Sequence, residues 1–180
     1  IEWSGGPYKI FTFMKMIGQK SIEKAARLYS SHIKHLSNIG MAVNESLNLK
    51  KILTHALKKI RIPVKAEGGI IYLLNEETKR FLPVAHQGIS KRLIKEMSGF
   101  RMGEGLSGYI ARSGKVLILP DIKADSRNIS PSFITENWHS YIGVPVKCKE
   151  RVTGIIVLIS RQKNYFRPEN TVFLQYAGTQ

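Results

Sequence analysis

The stretch that most limits the fold of this chain is Gly103-Glu104-Gly105-Leu106-Ser107-Gly108-Tyr109-Ile110-Ala111-Arg112-Ser113-Gly114. It is glycine-rich, yet it is not a phosphate loop. A Walker loop needs Gly-Lys-Ser/Thr, and here Gly108 is followed by Tyr109. A dinucleotide loop needs a strand before it, a longer helix after it and an acid about 20 residues on. Asp125 stands near that distance from Gly105. Only about two helical turns fit from Leu106 to Ser113, however, before Gly114 stops them. The glycines read as joints of a compact turn feeding a short helix. That helix packs Leu106 and Ile110 inward, with Tyr109 as a third inward candidate.

A second signature follows. His139-Ser140-Tyr141-Ile142-Gly143-Val144-Pro145-Val146 leads through Lys147 to Arg151 and then to Val152-Thr153-Gly154-Ile155-Ile156-Val157-Leu158-Ile159-Ser160. Two apolar, β-branched runs joined by a charged turn make a β-hairpin. Phe166, Pro168 and Glu169 then open the run Thr171-Val172-Phe173-Leu174-Gln175-Tyr176-Ala177. The Gly-Glu-Gly-Leu-Ser-Gly turn, the Val-Pro-Val strand, the Gly-Ile-Ile-Val strand and the Phe-Arg-Pro-Glu helix start, in this order and spacing, resemble the GAF domain family of small-molecule sensor modules. The resemblance covers about Leu49 to Gln180. It implies an α+β fold of GAF/PAS-like layout: a central, mostly antiparallel sheet flanked by helices, the first and last helices on one face and a ligand pocket on the other.

Local patterns agree. Gly68–Leu74 and Arg80–His86 read as strands around the turn Asn75-Glu76-Glu77-Thr78. Ile89–Met97 reads as a short helix, Val116–Leu119 as a strand stopped by Pro120, Asp121–Arg127 as polar loop, and Pro131–Trp138 as a site for a short helix. The last helix begins near Pro168 and has not ended at Gln180. Strands interspersed with helices, with hairpins at both ends, favour an antiparallel sheet over a doubly wound parallel one.

Ahead of this region Ile22, Ala26, Tyr29, Ile33, Leu36, Gly40, Val43 and Leu47 recur at 4-3 spacing. A period of 3.5 favours a helix packed along another helix, here its own copy. The alternative is one amphipathic helix packed on the domain itself. Asn48 is placed to cap a fresh helix, Leu49–Ile60, which Pro63 ends. The organisation is therefore read as a linker or neighbouring edge over 1–20, a signalling helix of coiled-coil type over 21–48, and a GAF-like domain over 49–180 whose final helix is cut.

Residues 1–65 hold twelve Lys and Arg against three acids, so +9 of the net +15 lies in the first third. A solvated helical face is the plain reading. A segment lying just inside a membrane is the second, since Lys and Arg collect there. Nucleic-acid binding is the weakest, because no recognition helix or aromatic-and-basic strand accompanies the charge. No run of about 20 apolar residues is present. The single Cys148 rules out an intramolecular disulfide and favours a reducing, cytoplasmic setting.

Chemistry-bearing groups do not converge. Gly105-Leu106-Ser107-Gly108 approaches a nucleophile elbow but lacks the final glycine. No His-Glu-x-x-His or paired cysteine supports a zinc site. Cys148 stands between Lys147 and Lys149 and is the one candidate for thiol redox chemistry. The resemblance implies three further tests. Bilin-binding members place a cysteine in the pocket-side loop, where Cys148 does not lie. Cyclic-nucleotide-binding members follow a Phe, after three residues, with Asp-Glu; Phe166 is followed by Asn170-Thr171. A haem needs His32, His35, His55, His86 or His139 aimed inward, and each reads as an ordinary helix or strand-end residue. Haem, bilin and cyclic nucleotide are thus unsupported, and the cofactor is unknown.

The expected pocket has apolar walls from Phe100, Leu106, Ile110, Ile129, Phe133, Trp138 and Tyr141. Asp121, Asp125, Arg127 and Ser140 are its polar candidates, together with backbone amides near Gly105. The resulting expectation is a non-enzymatic, cytoplasmic, homodimeric sensor module of a bacterial signalling protein, such as a two-component histidine kinase or a transcriptional regulator. Its output domain is covalently linked, and a membrane nearby fits the basic segment. The rival is a ligand-free dimerisation module.

Overall fold

A computed structural model describes residues 39–127 and 130–167, of which 39–46 are described as backbone. Helix α1 spans Ile39–Arg61 without interruption. Asn48 therefore caps nothing; it is exposed within the helix. No glycine or proline lies between Gly40 and Pro63, and the apolar face Leu49, Leu53, Ala56, Leu57, Ile60 keeps helical spacing. Nothing there obliges the helix to restart. Of the 4-3 stripe, Ile22, Ala26, Tyr29, Ile33 and Leu36 lie outside the described residues, as does the helix expected from Pro168. Val43 is helical in its backbone, and Leu47 is 52% exposed. Lys50, Lys51 and Lys58 stand on the solvent side of α1.

Five strands form one sheet: β1 (Gly68–Asn75), β2 (Arg80–Gln87), β3 (Leu117–Leu119), β4 (Ser140–Cys148) and β5 (Arg151–Ser160). Their order is β2-β1-β5-β4-β3, with every neighbouring pair antiparallel. The β1–β2 turn closes on Asn75, whose Oδ1 accepts from the amides of Glu77 (3.1 Å) and Thr78 (2.8 Å). This is the expected α+β architecture.

The central strands are apolar almost without alternation because both faces are covered. Side chains alternate between two cores. Ile71, Leu73, Ile156 and Leu158 meet Leu53, Ala56, Leu57 and Ile60 of α1. On the opposite face Ile70, Tyr72, Tyr141, Ile155, Val157 and Ile159 meet three short helices, α2 (Lys91–Glu96), α3 (Gly105–Ser113) and α4 (Pro131–Thr135). A 3₁₀ turn, Ile122–Ala124, interrupts the expected polar loop.

Gly143 shows why β4 must carry a glycine. A Cβ there would collide with Cδ1 of Ile110 and lie 2.9 Å from the Tyr141 hydroxyl. Its absence lets the Tyr141 ring lie between β4 and α3. Tyr109, expected to turn inward, is 43% exposed instead, its ring covered by the Arg127 guanidinium at 4.7 Å. The two buried faces of α3 are already taken by Leu106, Ile110 and Ala111. No helix among the described residues is long and apolar enough to cross a membrane.

Candidate functional site

On the face away from α1, a cleft of about 440 Å³ opens between α2, the start of α3 and α4. Phe100, Leu106 and Phe133 form its apolar side; Arg80, Glu96, Glu104, Ser107 and Ser130 bring polar groups. That mixture suits a small molecule.

Two helices are clasped end to end around it. Ser90 caps α2 by accepting from the Leu93 amide at 3.0 Å, and its hydroxyl donates to Glu136 at the carboxyl end of α4. At the other end Glu96 accepts from the Ser130 hydroxyl, from the Ser132 hydroxyl at 2.7 Å and from the Ser132 amide at 3.0 Å. Arg92 adds a bond at 3.1 Å. These donors, Ser130 first and Ser132 next, hold the Glu96 carboxyl at about 2, below its ordinary 4.5. A depressed carboxyl stabilises the fold fully above its unfolded value and loses that contribution as pH falls through its folded one. The clasp therefore weakens between pH 4.5 and about 2. Glu96→Gln is expected to speed amide exchange of residues 130–136 at neutral pH. The difference from wild type is expected to vanish toward pH 2, which exchange read by mass spectrometry checks.

Buried hydroxyls lie behind the cleft wall. Ser107 Oγ and Tyr141 Oη are 3.0 Å apart. Tyr72 is fully buried, and among the described residues its hydroxyl has no hydrogen-bond partner. Its ring meets the cleft wall at Phe100 edge-on, with centroids 5.0 Å apart, and Phe100 stacks on Phe81 at 5.3 Å. Burial pushes the Tyr72 phenol well up, helped by nearby Tyr141; burial also raises Tyr141, against the Ser107 bond and Arg127. Both phenols stay protonated donors.

The glycine turn presents the amino end of α3 to this cleft. Gly103 N–H donates to the Gly108 carbonyl at 2.7 Å, and Gly108 N–H donates to the Glu104 carbonyl at 3.1 Å. Glu104 occupies the cap position but makes no side-chain cap; its carboxylate accepts from the Arg101 amide at 2.8 Å. Among the described residues no hydrogen bond to the amides of Gly105, Leu106 or Ser107 is found. These are free helix-end donors.

Of the residues expected to form the pocket, Phe100, Leu106 and Phe133 line the cleft. Ile110 and Tyr141 lie one layer behind, fully buried. Arg127 is held by Asp125, through its amide at 2.9 Å and its Nε at 2.7 Å, against the outer face of α3. Neither Asp125 nor Arg127 lines the cleft, and three further residues lie away from it. Asp121 pairs with Lys163 at 2.7 Å and with His139 at 3.1 Å, which together hold its carboxyl at about 2, Lys163 contributing most. Ser140 is spent in the fold, donating to the Pro120 carbonyl and accepting from the Tyr165 amide, each at 3.0 Å. Trp138 is wholly buried beneath Arg161, whose guanidinium sits 4.2 Å above its ring. Ile129 lies outside the described residues. Sequence reasoning missed Arg80, Glu96 and Ser107. The serine inside Gly-Leu-Ser-Gly was the one available signal; the others depend on long-range packing. Cys148 is exposed at the far end of β4. Among the described residues no group of three His, Cys, Asp or Glu is placed to hold a metal ion.

Comparison with known proteins bears on the whole arrangement. The family model for the GAF domain matches residues 46–180. The Nif-specific regulatory protein of Azospirillum lipoferum is 26% identical over 140 residues, which cover 74% of this chain and 22% of that protein. The chain thus spans about a fifth of the curated relative's length. The GAF domain of a phosphoenolpyruvate-protein phosphotransferase from Coxiella burnetii superposes with a TM-score of 0.63 at 17% identity, covering 89% of this chain and 90% of that one. A free methionine-R-sulfoxide reductase from Neisseria meningitidis, solved with its substrate, superposes with a TM-score of 0.62 at 15% identity, covering 80% and 88%. Those two likenesses show a shared fold alone. With three quarters of the chain matched and the antiparallel sheet and its two helical layers in place, this chain belongs to the GAF domain family.

Proposed function

We propose that this chain is the small-molecule-responsive regulatory module of a longer signalling protein, a transcriptional regulator or a histidine kinase, working as a homodimer in the cytoplasm. The observation that carries the reading is the cleft at α3, where free helix-end amides and the Ser107 hydroxyl stand beside the apolar side chains of Phe100, Leu106 and Phe133. The regulator names of the curated relatives support the regulatory role, and the small share of their length matched supports a separate output domain.

Transmission follows from the shared wall. β5 sends Ile155, Val157 and Ile159 toward the cleft side and Ile156 and Leu158 toward α1. A ligand that prefers one packing of this wall biases the α1 arrangement by its differential affinity. The exposed Leu47, at the end of the 4-3 stripe, supports a partner helix there. The module is read as non-catalytic: Cys148, the one thiol of the sequence, sits away from the cleft.

A ligand-free dimerisation module is the second reading. It is favoured by Ile110, Trp138 and Tyr141, expected pocket walls that are packed solid. Denaturing the purified protein and identifying released compounds by mass spectrometry separates the two. A stoichiometric small molecule supports the sensor. A clean release, together with tight self-association in sedimentation, favours the dimerisation module.

A further inference from the structure

We propose that the outward face of α1, from Lys50 to Ile62, is a docking surface for an anionic lipid membrane. The domain lies on it peripherally, with the cleft on the opposite side of the sheet. This is independent of the cleft and of its ligand.

From Ser46 to Ala66 the sequence holds Lys50, Lys51, Lys58, Lys59, Arg61 and Lys65 and no acid. Arg61 turns back into the fold, donating to the Ala66 carbonyl at 2.7 Å. Lys50, Lys51 and Lys58 stay exposed, and among the described residues none of them is in an ion pair. Other elements of the surface pair their cations: Arg92 with Glu96, Lys79 and Arg151 with Glu76, Lys163 with Asp121. On the outward face of α1 one sign of charge stands uncompensated. The stems of these three lysines wall an apolar groove of about 450 Å³ and leave their ammonium heads in solvent.

Lys51, Lys58 and Ile62 follow one another at helical spacing and share one stripe. The Ile62 N–H donates to the Lys58 carbonyl at 3.1 Å, which carries that stripe past Arg61. Ile62 is 53% exposed, and Pro63 beside it is exposed too. The other side of α1 is committed to the core through Leu53, Ala56, Leu57 and Ile60. The helix therefore lies on a membrane rather than in it, with lysine heads among the headgroups and Ile62 as an aliphatic tip. The same features choose among occupants. Carried past Leu47, the 4-3 stripe meets Lys50 or Lys51, Thr54 and Lys58, so a second copy would set lysine against lysine. Nucleic acid offers Ile62 no apolar partner, and α1 has no aromatic residue to stack on a base. A bilayer interface supplies both negative headgroups and apolar depth. The basic excess continues upstream, since residues 1–65 hold twelve Lys and Arg against three acids. Juxtamembrane segments beside an anionic leaflet carry such an excess.

The test is flotation of the full chain with large vesicles of phosphatidylcholine, with and without about a quarter of phosphatidylserine. The expected result is binding to the anionic vesicles alone, falling as salt is raised. A lysine near such a surface is worth about a fivefold change in partitioning. The triple variant Lys50→Glu, Lys51→Glu, Lys58→Glu is therefore expected to weaken binding at least about a hundredfold. Where that variant loses its cooperative melt, the neutral triple with Gln at the same positions makes the comparison. A net charge of +15 attracts any anionic surface, so the control changes charge equally on the opposite layer: Lys91→Glu, Lys95→Glu, Arg112→Glu on α2 and α3. It is expected to keep most of the binding, and an equal loss there overturns the proposal. Ile62→Trp is expected to add quenching by brominated acyl chains to that of the wild type, and no added quenching overturns it. Binding to duplex DNA but not to vesicles, lost in the lysine variants, gives the face to nucleic acid and overturns the membrane. Absence of binding to the anionic vesicles overturns it outright.

Discussion

Gly108→Ala is expected to destabilise the protein by up to about 2 kcal/mol and to abolish binding in the cleft. A Cβ on Gly108 would stand 2.5 Å from the Arg101 carbonyl oxygen and 3.1 Å from the C and N atoms of Gly103. All three are backbone atoms, so no rotamer change relieves the contact. Overpacking of this kind costs about 1–3 kcal/mol. Alanine returns about 1 kcal/mol through its better helix propensity, which sets the smaller net figure. The site suffers more than the fold does. Relief requires the turn and the first turn of α3 to separate, which breaks the Gly103–Gly108 bond at 2.7 Å and re-aims the Gly105–Ser107 amides. Urea unfolding measures the first effect and calorimetric titration the second. Wild-type affinity in a destabilised variant would show that the amides do not serve the ligand.

Leu57→Ala is expected to cost more stability and to spare the site. Leu57 is fully buried where α1 crosses the sheet, among Leu53, Ile71, Ile156 and Leu158. Truncating a buried leucine loses its transfer free energy and leaves a cavity, about 2–5 kcal/mol together. The cavity lies on the far side of the sheet from α3, so in the folded fraction the affinity of the cleft is expected to change less than the stability does. Urea unfolding and titration on one preparation check this. The contrast between the variants separates the scaffold from the recognition surface.

Much of this architecture was legible because each signal was local. The hairpin of β4 and β5, the short helix after the glycine turn and the stop at Gly114 follow from spacing and residue type alone. Asn48 misled because a good capping residue also sits comfortably on an exposed helical face, and no breaker stood beside it. Phe100, Leu106 and Phe133 line the cleft because large apolar residues flank the turn and the α4 segment. Asp121, Trp138 and Ser140 stay out of the cleft for one reason: each is satisfied by a residue from a distant part of the chain, Lys163, Arg161 and Tyr165. Tyr72 carried no sign of its unmet hydroxyl. In the sequence it is one more apolar position of β1, and only three-dimensional packing shows its hydroxyl unmet.

Hydrogen–deuterium exchange tests the central claim most directly, on the full chain as purified and after refolding from denaturant with small molecules dialysed away. Emptying the cleft is expected to speed exchange at the amino end of α3 and also to alter exchange in α1, across the sheet. Identical exchange at both places in the two samples would contradict it.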